Sequence, residues 1–169
     1  MLLHLSFAAR DTDRVSRVVA ELLGATVVDC PAPPFRAGSK FVCAFDDAGT
    51  MVEIVPSGTE YVPGPGNRTD MIEGAPIERT PVHGSFTTPL TVNEALAIAE
   101  REGWPSGLID NGPFQVVNVW LEGTQLLELF PADLVGDYLA LYGPENREHL
   151  DGQLREVERF LSSHLQPTA

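Results

Sequence analysis

His4 and Glu53, and again His83 and Glu128, are the residues of this chain whose types and spacing could do chemistry. Each histidine opens a short apolar stretch, LHLSF at 3–7 and VHGSF at 82–86, and each glutamate sits inside a later one, MVEIVP at 51–56 and LLELFP at 126–131. The two separations are 49 and 45 residues, nearly equal although the intervening segments differ. A carboxylate between Val52 and Ile54, or between Leu127 and Leu129, is costly to bury bare, so it calls for a partner or a cation. Two imidazoles and two carboxylates meeting on one concave face would hold a divalent first-row metal and leave positions for water or substrate. The competing reading is plainer: satisfied core histidines, and glutamates facing solvent from one-sided sheets.

The elements that must position these groups repeat in order. In the first half, LLHLSFAA is expected as a strand, and Asp11-Thr12-Asp13 supplies capping side chains for a helix with Val15, Val18, Val19, Leu22 and Leu23 at helical spacing. Gly24 closes that helix, and three strands follow, ATVVDC, KFVCAFD and TMVEIVP. The second half runs the same way: VHGSFTTP as a strand, a helix capped by Thr91 and ended by Gly103, then SGLIDN, FQVVNVWLEG and TQLLELFP, the last two a hairpin turning near Glu122-Gly123. Strand alternation puts His4 on one face with Ser6, and His83 with Ser85, opposite their apolar neighbours. An internal repeat accounts for all of this.

The expected organisation is a first βαβββ module at 1–56, a connecting loop at 57–81, a second module at 82–131 and a helical extension at 132–169. The 57–81 segment is crowded with Gly, Pro, Asn and Thr and lacks an apolar period, the pattern of a lid, binding loop or linker. The extension has no counterpart in the first half; Leu150, Leu154, Val157, Leu161 and Leu165 mark an amphipathic helix expected to pack on the core or on a second subunit.

Composition excludes several classes. With 24 acidic against 11 basic residues, the formal charge of −13 repels phosphate backbones and anionic lipid, which predicts neither a nucleic-acid nor a membrane partner. Cys30 and Cys43 lack CxxC spacing. The start MLLHLSFAARD has neither the basic leader nor the apolar core of a signal peptide, so a cytoplasmic protein with reduced thiols is expected. Arg10, Arg36, Arg68 and Arg79 are candidates to hold an anionic substrate, and Phe35, Tyr61, Trp104, Phe114 and Trp120 to line a pocket.

Over residues 1–131 the chain resembles the vicinal oxygen chelate superfamily, which includes glyoxalase I, methylmalonyl-CoA epimerase, extradiol dioxygenases, and fosfomycin and bleomycin resistance proteins. The resemblance implies an α+β fold of two tandem βαβββ modules forming a cupped mixed sheet around a metal, with His4, Glu53, His83 and Glu128 as ligands. A set of two histidines and two glutamates is most similar to bacterial glyoxalase I. It implies a divalent metal, nickel, zinc, cobalt, manganese or iron, that stabilises charge developing on a small oxygenated substrate as a proton leaves carbon, through an enediolate-like intermediate. Glu128 is the first choice for the base and Glu53 the second, in a lyase or isomerase. Members of the superfamily also include iron(II) dioxygenases and metal-free dimers that sequester an antibiotic, and both stand as alternatives. A homodimer is expected, with the ligands drawn from one chain or shared between two.

Overall fold

The computed structural model describes residues 3–32, 34–146 and 148–164. The first module is β1 (His4–Ala9), α1 (Thr12–Leu23), β2 (Thr26–Asp29), β3 (Lys40–Cys43) and β4 (Met51–Pro56), its strands ordered β1-β4-β3-β2. After β5 (Thr59–Pro63) and β6 (Thr69–Glu73), the second module brings β7 (Gly84–Thr88), α2 (Val92–Glu102), β8 (Ser106–Asp110), β9 (Gln115–Leu121) and β10 (Gln125–Pro131) in the order β7-β10-β9-β8. In both sheets the first and last strands of the module lie parallel and the other neighbours antiparallel, so the expected mixed α+β repeat is what forms.

Local chemistry sets the helix ends. The Asp11 carboxylate accepts from the Arg14 N–H, and Gly24, at φ 65, lets the chain leave α1 in the left-handed region that other residues avoid. Thr91 and Glu94 form a reciprocal capping box at the start of α2. The apolar faces of both helices join Phe7, Val52, Ile54, Val117, Leu127 and Leu129 in one continuous core drawn from both modules.

The modules meet where the repeat matches itself. Leu5 and Gly84 are equivalent positions, each following its histidine, and a Cβ placed on Gly84 would stand 2.8 Å from Leu5 Cδ2. Beside this contact α1 packs on β7 as well as on its own sheet. Thr88 donates its hydroxyl to the Leu22 carbonyl, and Arg14 donates to the Glu102 carbonyl at 2.6 Å, so each helix C-terminus is tied to the other module. The Glu122 carboxylate, on the tight turn between β9 and β10, accepts from the backbone N–H groups of Arg10 and Asp11 at 2.7 and 2.9 Å. A carboxylate there also favours the positive end of α1.

One expectation and one competing reading need correction. The 57–81 connection carries regular structure, because β5 and β6 pair as an antiparallel hairpin. A two-stranded ribbon is marginal alone; this one is fastened by Thr59 Oγ1 to the Pro56 carbonyl at 2.6 Å and by Arg36, which donates to Thr59 at 3.0 Å and pairs with Glu73 at 3.5 Å. The competing reading of satisfied core histidines does not hold, since both are exposed, and His83 stands one residue ahead of β7.

The extension forms α3 (Val135–Tyr142) and α4 (Leu150–His164). Tyr138 packs on Phe130 and Phe114, at ring separations of 4.8 and 5.3 Å, fastening α3 to the second sheet. On α4, Leu150 is half-buried and Leu154 exposed; Leu165, and the side chains of Val157 and Leu161, lie outside the described residues.

Candidate metal site

Strand pairing places a serine beside each glutamate in the same register. Ser6 on β1 is opposite Glu53 on β4, and Ser85 on β7 is opposite Glu128 on β10. Val52, Ile54, Leu127 and Leu129 point into the core, so alternation turns both glutamates to the other face of their sheets.

Glu53 is only 8% exposed. Its Oε2 accepts from the Ser6 hydroxyl at 2.6 Å and from the Tyr61 hydroxyl at 3.3 Å, the latter delivered by the hairpin. Phe41 is its neighbour on β3 and carries the ring of Phe35 edge-on at 5.1 Å. Among the described residues no Lys, Arg or His side chain lies within ion-pair distance of this carboxylate. The surroundings register its field: burial, with the Glu53 charge next in importance, pushes the Cys30 thiol up to about 11. Burial is also the main cause of an upward shift at the Tyr61 phenol, to which Glu53 adds. Cys30 and Cys43 are both free thiols. A buried carboxylate held by neutral hydroxyls, without a counter-charge, suits a bound cation.

The second half is more open. Glu128 accepts from the Ser85 hydroxyl, and Nε2 of His83 lies 3.7 Å from its Oε2. His83 Nδ1 is 3.1 Å from the Pro81 carbonyl oxygen. In the tautomer with Nδ1 protonated, that contact is a hydrogen bond and Nε2 presents its lone pair, the arrangement that orients a metal-binding imidazole. On the other flank of Glu128, on β9, lies Asn118, whose Oδ1 is buried without a hydrogen-bond partner.

Three of the four expected ligands therefore fall into two clusters, Glu53 with Ser6 and Tyr61, and Glu128 with His83 and Ser85. His4 is exposed at the start of β1. Among the described residues no three His, Cys, Asp or Glu side chains converge tightly enough to hold a metal.

Several other candidates are absorbed by structure. Arg10 donates to the Glu122 carbonyl, Arg68 pairs with Asp70 and Arg36 fastens the hairpin. Phe114 belongs to the α3 contact, and Trp104 is buried beneath the Arg14 guanidinium, 5.5 Å from its ring centroid. Trp120 is 39% exposed on the face that carries Glu128 and Asn118, and Tyr61 reaches Glu53 directly. Ser6, Ser85 and Asn118 were not singled out as site residues by sequence; the signal for the serines was their place two residues beyond each histidine.

No protein-family model matches the chain, and no curated protein does. Solved structures do match. The fosfomycin resistance protein FosX from Listeria monocytogenes, complexed with Mn(II) and sulfate, aligns with a TM-score of 0.51 at 15% identity, over 84% of this chain and 97% of its own. The chain has the vicinal oxygen chelate fold. FosX from Mesorhizobium loti shares that fold with a TM-score of 0.50 at 16% identity, over 76% of this chain and 89% of its own. An integron cassette protein from the mobile metagenome of the Halifax Harbour sewage outfall also scores 0.50, at 13% identity, over 76% and 96%. Within the vicinal oxygen chelate fold of this chain, no described helix is long and apolar enough to cross a membrane.

Proposed function

We propose that this protein is a divalent-metal-dependent lyase or isomerase acting on a small oxygenated molecule, with His4, Glu53, His83 and Glu128 as its metal-binding residues. The observation that carries the reading is the duplicated Ser–Glu register, with one glutamate buried and lacking a counter-charge among the described residues. The Mn(II) present in the Listeria structure is a further support.

A bound divalent metal would supply Lewis acidity to two neighbouring oxygens of a substrate, lowering the cost of negative charge that develops there. The chain's own groups divide the remaining work. Glu53 is enclosed and its Oε2 is already engaged by two hydroxyls, which suits a fixed ligand. Glu128 is more accessible, with a side chain 22% exposed, which supports it as the base that takes a proton from a substrate carbon. Ser85 steadies that carboxylate from the β7 side. The hairpin reaches the Glu53 half through the Tyr61 hydroxyl, which helps to hold that carboxylate in place.

The test is metal content. Untagged protein purified without chelator is expected to carry one transition metal per chain by mass spectrometry. Failure to carry metal, or to take it up on reconstitution, would refute the reading and leave ligand sequestration in its place. Iron together with substrate-dependent oxygen consumption would redirect it to dioxygenase chemistry.

The working form is a homodimer in this reading, supported by the exposed apolar side chains of Leu139, Tyr142 and Leu154 on α3 and α4. Light scattering is expected to return twice the 18.3 kDa chain mass. A monomer at micromolar concentration would refute a dimer and any site shared between subunits.

A further inference from the structure

The glutamate face of the second sheet departs from that of the first on its two outer strands. By register, Gly107 on β8 stands where the first sheet has Val28, and Trp120 on β9 where it has Cys43. Near Glu128 the second half thus carries one large ring and one residue with no side chain. Trp120 is diagonal to Gly107, within reach of laying its indole over the glycine, as aromatic side chains can on neighbouring strands. It does not do so. Among the described residues a Cβ at Gly107 would meet only Ile109 Cδ1, at 3.9 Å, and Trp120 stays 39% exposed.

The result is a shelf with defined edges. Gly107 is its floor, Trp120 and Leu126 stand on one side, and the exposed Ile109 stands on the other. Two residues along β10 from Glu128, on the same face, Phe130 is buried beneath Tyr138, so α3 bounds the shelf at that end. The rows of Trp120 and Ile109 lie four residues apart along β9, roughly 13 Å, which leaves a flat ring room between the two side chains. A strand glycine with open space above it lets a ligand approach the backbone closely, and the flank of an indole favours a planar partner. The apolar lining disfavours a charged group, and an excess of acidic residues with Glu128 alongside repels an anion in particular. We propose that Gly107 and Trp120 form a subsite for an uncharged planar ring of the substrate. Setting the ring's substituents against Glu128 rests on the functional reading above; the binding of the ring does not.

The chain has two tryptophans, so the nitrogen–proton correlation spectrum of labelled full-length protein carries two indole signals, with the buried Trp104 as internal reference. The signal lost in Trp120→Phe is that of Trp120. Titration with benzyl alcohol in the presence of chelator is expected to shift this signal saturably at millimolar concentration and to leave that of Trp104 in place. Cyclohexylmethanol, which carries the same hydroxymethyl group on a puckered ring, should bind about fivefold more weakly, the size of an aromatic stacking preference. Gly107→Val installs the first-sheet residue on the floor of the shelf and should weaken benzyl alcohol about tenfold by overfilling it. The variant should melt no lower than the parent, since a β-branched side chain suits an open strand position. A shift without saturation, equal affinity for the two alcohols, or undiminished binding by Gly107→Val overturns the proposal. Should that variant not fold, Gly107→Ala takes its place: a loss of about threefold is expected for one added carbon, and unchanged affinity overturns the proposal. Saturable binding by a parent that takes up no metal would uphold the subsite and refute the metal reading, so the two fail separately.

Discussion

Replacing both His4 and His83 with alanine is expected to strip the chain of transition metal while leaving its fold in place. Both imidazoles are exposed, so neither contributes to the core, and surface changes of this kind usually shift stability by no more than about 0.5 kcal/mol. Metal affinity should fall by on the order of a hundredfold or more, since loss of even outer partners of a metal site costs roughly 10–100-fold. Metal content and thermal melting measured side by side separate the two effects. A double variant that binds metal as tightly as the parent would show that the histidines are surface residues and that the donor set lies elsewhere.

Glu53→Gln should move stability and binding in opposite directions. The glutamine keeps a carbonyl oxygen for the Ser6 and Tyr61 hydroxyls but removes a charge that is 8% exposed and faces no cationic side chain among the described residues. In chelator the variant should be more stable than the parent by about 1–2 kcal/mol, the direction expected when an uncompensated buried charge is neutralised. For a chain of this size that is a rise of roughly 2–4 °C in Tm for each kcal/mol. With metal added the order should reverse, because a ligand that binds only the folded state stabilises the parent in proportion to its affinity. A glutamine variant less stable than the parent in chelator would mean that the carboxylate is held for structural reasons.

The repeat was legible from sequence because its signals are local. Apolar spacing in α1, the capping residues Asp11 and Thr91, and glycines at 24 and 103 fix element type and ends through neighbouring residues alone. The pairing of Ser6 with Glu53 was half visible: alternation gave the face, and only the parallel register of β1 with β4 set the serine opposite the glutamate. The β5–β6 hairpin was hidden for a physical reason. Its strands are short and largely exposed, and they depend on distant fasteners such as Arg36 and Glu53, which local pattern cannot reveal. Asn118 lay inside a stretch that reads as an ordinary apolar strand. Its significance is a buried oxygen without a donor, a property of three dimensions.

The contact between Leu5 and Gly84 bears on how such a gene could have arisen. A single ancestral module would have left the α1 surface that now meets β7 bare, and two identical copies could have covered it by associating about a two-fold axis. On that axis equivalent residues face themselves, and a Cβ at Gly84 would stand 2.5 Å from Phe86 Cε2 and 2.8 Å from Leu5 Cδ2, so a second leucine there would require these side chains to move. Identical subunits must carry the same residue on both sides of such a point. Joining the copies in one polypeptide lifts that constraint, so each half can mutate independently. Leucine at 5 against glycine at 84, and phenylalanine at 41 where the matched position 118 holds asparagine, are differences that a fused descendant can keep.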